Sequence, residues 1–244
     1  MIKQIWKAEN AKLHHSFLLY LHIVVLSLFP ILLGVYYGSR KLAVTSATMM
    51  TTFYEVLAIA SPIMISIVIC LVFDREEKAG NFKNWLSEPF SKAKMIQGQL
   101  NYYWLWYVIE IIGISLIYYA LLIGLYHIQN ISFIKLVITS IAFAFCGLVQ
   151  YELTQMIALK WGIGGSLILG FFGTVISLLG ITSLLDIIWP IIPWAWQIRM
   201  ITFWQTNISA GLTNLVALEY ICPLVMTGVV VALGRICFDK WQGR

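Results

Sequence analysis

The sequence predicts an all-α polytopic membrane protein with six transmembrane helices. Two observations carry this. Of 244 residues, 60% are hydrophobic and only 11% are charged, where soluble domains carry about 25% charged residues. The apolar residues also fall in continuous runs long enough to cross a hydrocarbon core, which takes about 20 residues. They do not alternate as the strands of a membrane barrel would. No stretch is both polar and long enough for a soluble domain, so residues 1–244 read as one membrane domain. The net charge of +5 reads as basic loops beside a membrane rather than as a nucleic-acid surface. Cys70, Cys146, Cys222 and Cys237 are not spaced as CxxC and read as small apolar packing residues, with no metal or redox role expected.

In chain order, residues 1–15 form a basic leader, followed by predicted spans at 16–37, 53–73, 102–126, 133–159, 164–185 and 215–236. The leader is long, the first run is nearly a full span and no A-x-A site follows, so the first run reads as a retained helix rather than a cleaved signal. Six spans place both termini on one side. That side carries Lys3, Lys7, Lys12, Arg75, Lys78, Lys83, Lys92, Lys94, Lys160, Arg235, Lys240 and Arg244, against Arg40, Lys41, Lys135 and Arg199 on the other. The positive-inside rule puts the richer side, and both termini, in the cytoplasm of a cell-membrane protein.

The leader places Ile2, Ile5 and Trp6 at i, i+3 and i+4, with Leu13 on nearly the same side and Lys3, Lys7, Glu9 and Lys12 between them. This pattern suits an amphipathic interface helix lying on membrane lipid, with Trp6 at headgroup depth. A plain basic flank that only fixes topology is the alternative.

The largest cytoplasmic loop, 74–100, contains the stretch DREEKAGNFKNWLSEPFSKAK. A short helix from Lys78 or Ala79 to about Glu88 would put Phe82, Trp85 and Leu86 on one apolar face. Glu76 and Glu77 would sit near its start, where acids suit the helix dipole. Pro89 would end it. The pattern suits a docking helix that offers aromatic residues to a partner.

These features resemble permeases of the ABC-2 exporter type. Members have six spans, an interface helix before the first, and a cytoplasmic coupling helix between the second and third. Residues here that match the coupling segment are Glu76, Glu77, Gly80, Leu86, Pro89, Ser91 and Lys92. With the Trp-rich stretch WPIIPWAWQIRM, the chain is similar in particular to the E/G-type permeases of lantibiotic self-protection transporters. Bacitracin-type and other multidrug permeases are close in pattern. The resemblance implies export of a peptide substrate, a separate ABC ATPase subunit that binds ATP and Mg²⁺, and a second permease subunit, identical or homologous. The chain itself has no GxxxxGK[ST] motif, so no cofactor and no catalysis are expected in it.

Polar residues within the spans are costly and suggest function. Glu110 in the third span, and Gln150 and Glu152 in the fourth, could line a substrate path or simply join helices. Glycines in GIGGSLILGFFG read as helix-packing residues. In the outer loop, Trp194 and Trp196 flank Pro190 and Pro193. They could form an aromatic belt or a partly re-entrant outer gate for a cationic, amphipathic peptide, and Asp186 could add an anionic contact. Two rivals remain. An intramembrane protease of the E-E-x-x-x-R type would need arginine where Asn81 stands and a later pair of histidines. A non-transporting sensor or assembly subunit would share the architecture.

Overall fold

The computed structural model describes residues 2–14, 16–83, 91–201 and 214–241, with backbone alone for 214–220. Among the described residues all regular structure is helical. The elements are α1 (Ile2–His14), α2 (Phe17–Gly38), α3 (Ser46–Lys78), α4 (Lys92–Ala120, continued by a π turn Leu121–Leu125), α5 (Phe133–Gly180), α6 (Pro193–Arg199) and α7 (Asn214–Lys240). Two 3₁₀ turns, Ser183–Leu185 and Trp189–Ile191, lead into α6. Among the described residues five helices are long and apolar enough to cross a membrane: α2, α3, α4 with its π turn, α5 and α7.

At 48 residues, a straight α5 would be roughly 70 Å long, more than twice the hydrocarbon core. It is not straight. Gly162 has φ +73° and ψ −164°, which no helical residue carries and which glycine tolerates best. Beyond it the chain folds back. A Cβ on Gly165 would meet Ile157 Cγ2 at 3.2 Å, a residue two turns away in an unbroken helix. The register against α3 reverses too. Before the break, Tyr54 hydroxyl bonds to Leu136 carbonyl and Ser140. After it, Ile163 lies beside Cys70, Gly170 beside Ser66 and Gly173 beside Pro62. The limbs 133–161 and 163–180 therefore run antiparallel. The sequence divides this stretch at 160–163, and Gly162 lies in that interval.

α3 is the central helix and packs on both limbs of α5. Phe53 stacks on Tyr118 of α4, centroids 4.2 Å apart. α2 and α7 lie outside, with Ile23, Leu32, Val225 and Leu233 among their many exposed apolar side chains, as lipid-facing helices require.

The helices outrun the predicted spans on either side of the 74–100 loop. α3 continues through Lys78 and α4 begins at Lys92, so the segment predicted as loop 74–100 contracts to residues 79–91. The cause is visible in side-chain bonding. Polar residues at these helix ends, Arg75, Glu76, Gln97 and Gln99, are held by neighbouring helices and have no need of a solvated loop. The predicted start of a coupling helix at Lys78 or Ala79 is also corrected. Gly80, Asn81 and Phe82 have φ of +137°, +52° and +62°, which ends α3 in a left-handed turn. Trp85, Leu86 and Pro89 lie outside the described residues.

Candidate functional site

α1 buries a stripe at Ile5, Glu9 and Leu13, spaced i, i+4, i+8. The stripe faces α4: Ile5 packs where Gly98 lacks a side chain, and Trp6 Nε1 donates to Gly98 carbonyl at 3.2 Å. Trp6 also meets Tyr102 edge-on. Ile2, expected on the same apolar face, is exposed. The face is thus a docking stripe with an acid at its centre.

That acid begins a buried ionic ring. Glu9 and Glu76 are 3% and 2% exposed, and only compensation keeps such burial tolerable. Lys12 Nζ reaches Glu9 Oε1 at 2.9 Å and Glu76 Oε1 at 2.7 Å. Arg75 Nη2 reaches Glu9 Oε2 at 2.6 Å and Glu76 Oε1 at 3.2 Å. Gln99 Nε2 donates to Glu9 Oε1 at 3.0 Å, and Tyr103 hydroxyl donates to Glu9 Oε2 at 2.9 Å. Two carboxylates face two cations, so the ring is neutral overall. Burial pushes the Glu9 carboxyl up, but Lys12 and Arg75 together outweigh it and hold Glu9 below the usual carboxylate value. The ring ties α1 to the last turn of α3 and the first turns of α4, the two helices that flank residues 79–91.

This geometry corrects two sequence expectations. Glu76, read as an acid at a helix start, is interior and paired. Phe82, read as part of a face offered to a partner, is 1% exposed and packs between Phe73 (4.7 Å) and Trp241 (5.2 Å) of its own chain. The left-handed turn swings it inward. Glu77 is exposed, and its carbonyl accepts from Asn81 N–H at 2.7 Å. Gly80 has no neighbour near the site of a Cβ.

A second polar layer lies within the bundle. Gln197 of α6, fully buried, donates to Tyr107 hydroxyl at 2.7 Å and to Phe143 carbonyl at 3.1 Å. Its Oε1 accepts from Gln150 at 3.0 Å, and Tyr107 in turn bonds Ser61. One short helix thus joins α3, α4 and α5 from the loop side. Gly147 makes room, since a Cβ there would lie 2.7 Å from the Tyr107 ring. Nearby, His22 Nδ1 pairs with Glu110 Oε2 at 2.8 Å. They share a cavity of about 50 Å³ with Ser61, Tyr107 and Tyr151.

The family-model comparison matches residues 5–177 to the ABC-2 family transporter protein model, a stretch that begins in α1 and ends in the second limb of α5. The chain belongs to the ABC-2 transporter family. No curated protein matches it in sequence. An ABC-2 permease is a membrane transport component rather than itself a catalyst, and membership implies partnership with an ABC ATPase subunit.

Among the described residues, those proposed for a substrate path in this ABC-2 permease lie in different surroundings. Glu110 lies beside His22. Gln150 is bonded to Gln197. Glu152, fully buried, accepts from Gln97 and abuts Gly234 of α7. Trp194 packs against Gly173, and its carbonyl accepts from Ser177 at 2.9 Å. Trp196, 1% exposed, donates to Pro190 carbonyl at 2.9 Å. It backs a cleft of about 420 Å³ lined by Ile138, Ile141, Phe145, Trp189 and Leu224. Asp186 is paired with Arg199 at 2.6 Å.

Sequence reasoning missed Gln197, His22 and the central position of Glu9. A polar residue inside WPIIPWAWQIRM and a histidine six residues into an apolar run were the available signals. Glu9 betrayed itself by falling between Ile5 and Leu13 at helical spacing.

Proposed function

We propose that the chain is the permease subunit of an ABC exporter that moves a lantibiotic, or a similar amphipathic antimicrobial peptide, from the membrane to the outside and so protects its producer. The observation that carries the transport reading is the ionic ring. It makes α1, the end of α3 and the start of α4 one body around residues 79–91, which suits a coupling segment pushed by an ATPase. The ATPase binds ATP and Mg²⁺ on a separate chain, and a second permease subunit, identical or homologous, completes the transporter. Both termini are cytoplasmic, α1 lies along the inner membrane surface, and the two limbs of α5 each cross the membrane to give six spans. The fold-back at Gly162 supports that count.

The peptide reading rests on the cleft beside Trp196. Its lining is apolar and aromatic, Ile138, Ile141 and Leu224 are exposed at its edge, and its volume falls within the range of about 300–1,000 Å³ typical of ligand sites. It suits the apolar side chains of an amphipathic peptide. Replacing Ile141 with Trp would fill it without touching the polar layer. In cells that co-express the ATPase, Ile141→Trp should lower tolerance to a panel of lantibiotics, while the permease still reaches the membrane and still co-purifies with the ATPase. Tolerance equal to the parent's for every peptide in the panel, in a strain that dies without the permease, would remove the cleft from the transport path.

A further inference from the structure

The far end of the chain bears on the coupling segment. α7 ends at Lys240, and its last turn makes contacts with three other parts of the protein. Asp239 Oδ1 accepts from Ala93 N–H at 3.1 Å, capping the first turn of α4, whose N-cap residue Ser91 makes no side-chain cap. Lys92 Nζ donates to Trp241 carbonyl at 2.9 Å. Trp241 Nε1 donates to Leu159 carbonyl at 3.1 Å, just before the break in α5. The Trp241 ring meets Phe82 edge-on, and Phe82 meets Phe73. Phe238, beside it on α7, is fully buried.

Phe82 needs this support. A bulky residue at φ +62° is in a region disfavoured for L-residues, and the preceding Asn81 is left-handed as well. Such a turn persists only where its surroundings over-determine it. Here the surroundings include Phe73 of α3 and Trp241 from the other end of the chain.

We propose that the C-terminal turn Asp239–Trp241 is the seat of the coupling segment. Trp241 is a positioning residue that holds Phe82 and clamps the first turn of α4, so that residues 79–83 and the cytoplasmic end of α7 move as one body. This rests on the reading of 79–91 as the segment pushed by the ATPase. Its consequence is that force reaches α7 directly from the segment, not only through α3 and α4.

The test is a pair of distances in the assembled permease–ATPase complex, reconstituted in nanodiscs. Cys70, Cys146, Cys222 and Cys237 are first replaced by serine or alanine. Spin labels at Lys83→Cys and Lys240→Cys report the seat, and labels at Lys83→Cys and Lys41→Cys report movement of the segment relative to the outer end of α2. Each is measured without nucleotide and trapped with ATP and vanadate. The expected result is a shift in 83–41 with no shift in 83–240. Trp241→Ala should broaden 83–240 and make it nucleotide-dependent, and Trp241→Phe, which keeps a ring against Phe82, should restore it. If 83–240 shifts in the parent as much as 83–41 does, the seat is wrong while the coupling reading stands. If 83–41 does not move on trapping, the coupling reading falls and the seat falls with it. The parent distances decide the matter even where Trp241→Ala fails to accumulate.

Discussion

Glu9→Gln is the sharpest probe of the ionic ring. The glutamate accepts from Lys12, Arg75, Gln99 and Tyr103 at 2.6–3.0 Å, and two of those donors are charged. An amide in its place turns at least one donor face toward donors already present. It also leaves Arg75 with only the longer contact to Glu76, 3.2 Å. Each hydrogen bond to a charged group is worth about 1.5–3 kcal/mol, so losing two costs roughly 3–6 kcal/mol. Arg75 keeps some access to solvent, which argues for the lower figure. About 3 kcal/mol is more than a hundredfold in the ratio of docked to undocked α1. Hydrogen–deuterium exchange of residues 2–14 in nanodiscs reads that ratio directly. The expected result is exchange faster by about two orders of magnitude in α1, with little change in the middle of α3. Lys7→Gln, at an exposed position on the same helix, should leave it unchanged. Acid gives an independent check. Glu9 lies below its ordinary value of 4.5 when docked, so its stabilisation is fully present above pH 4.5 and is lost as pH falls through the docked value. Protection of parental α1 should hold down to about that pH and decay beneath it, and Glu9→Gln should lack the decay. Unaltered α1 exchange in Glu9→Gln would refute the claim that the ring holds the helix.

Three further outcomes follow from the membrane interior. Gly147→Ala drives a methyl into a Tyr107 ring that Ser61 and Gln197 hold in place, an overpacking that should cost about 1–3 kcal/mol and lower the unfolding midpoint of the purified permease. Gln197→Ala strands the Gln150 amide in the core at about 1–3 kcal/mol; limited proteolysis near α6 should quicken, and an unchanged digestion pattern would count against α6 as a tether. His22→Ala leaves the Glu110 carboxyl without its hydrogen-bond partner, at a cost of about 1–3 kcal/mol. Membrane accumulation should fall and should recover when Glu110→Gln is added, whereas a double variant as poor as the single one would mean that His22 matters only as bulk.

Much of the architecture was legible because lipid leaves the backbone few choices. Apolar runs had to be helices, and the interval between two of them, 160–163, contains the break at Gly162. Helix ends were less legible. Hydropathy marks where lipid stops, and Lys92–Asn101 is helical for another reason: Asp239, nearly 150 positions away, caps it, and Gln97 and Gln99 find partners on other helices. Phe82 failed for a related reason. Spacing at i, i+3, i+4 assumes a helix running through it, and the three positive φ values at Gly80–Phe82 break that assumption before the pattern begins.

The candidate site divides along the same line. A single residue's type could flag Glu110, Gln150 and Glu152 as polar groups in costly surroundings, and each is indeed partnered. What type alone could not supply was the partner: His22, Gln197 and Gln97 are 88, 47 and 55 positions away respectively. Those pairings change what the acids and amides are for. Gln150 donates to Gln197 of α6, so it fastens the connection between α5 and α7 to the bundle. Glu152 sits where Gly234 gives it room against α7. The polar residues thus lie at helix junctions, while the cleft beside Trp196 is lined by apolar side chains. The groups that join the helices are therefore separate from the apolar surface of the cleft, and polar substitutions should alter assembly before they alter what the cleft binds.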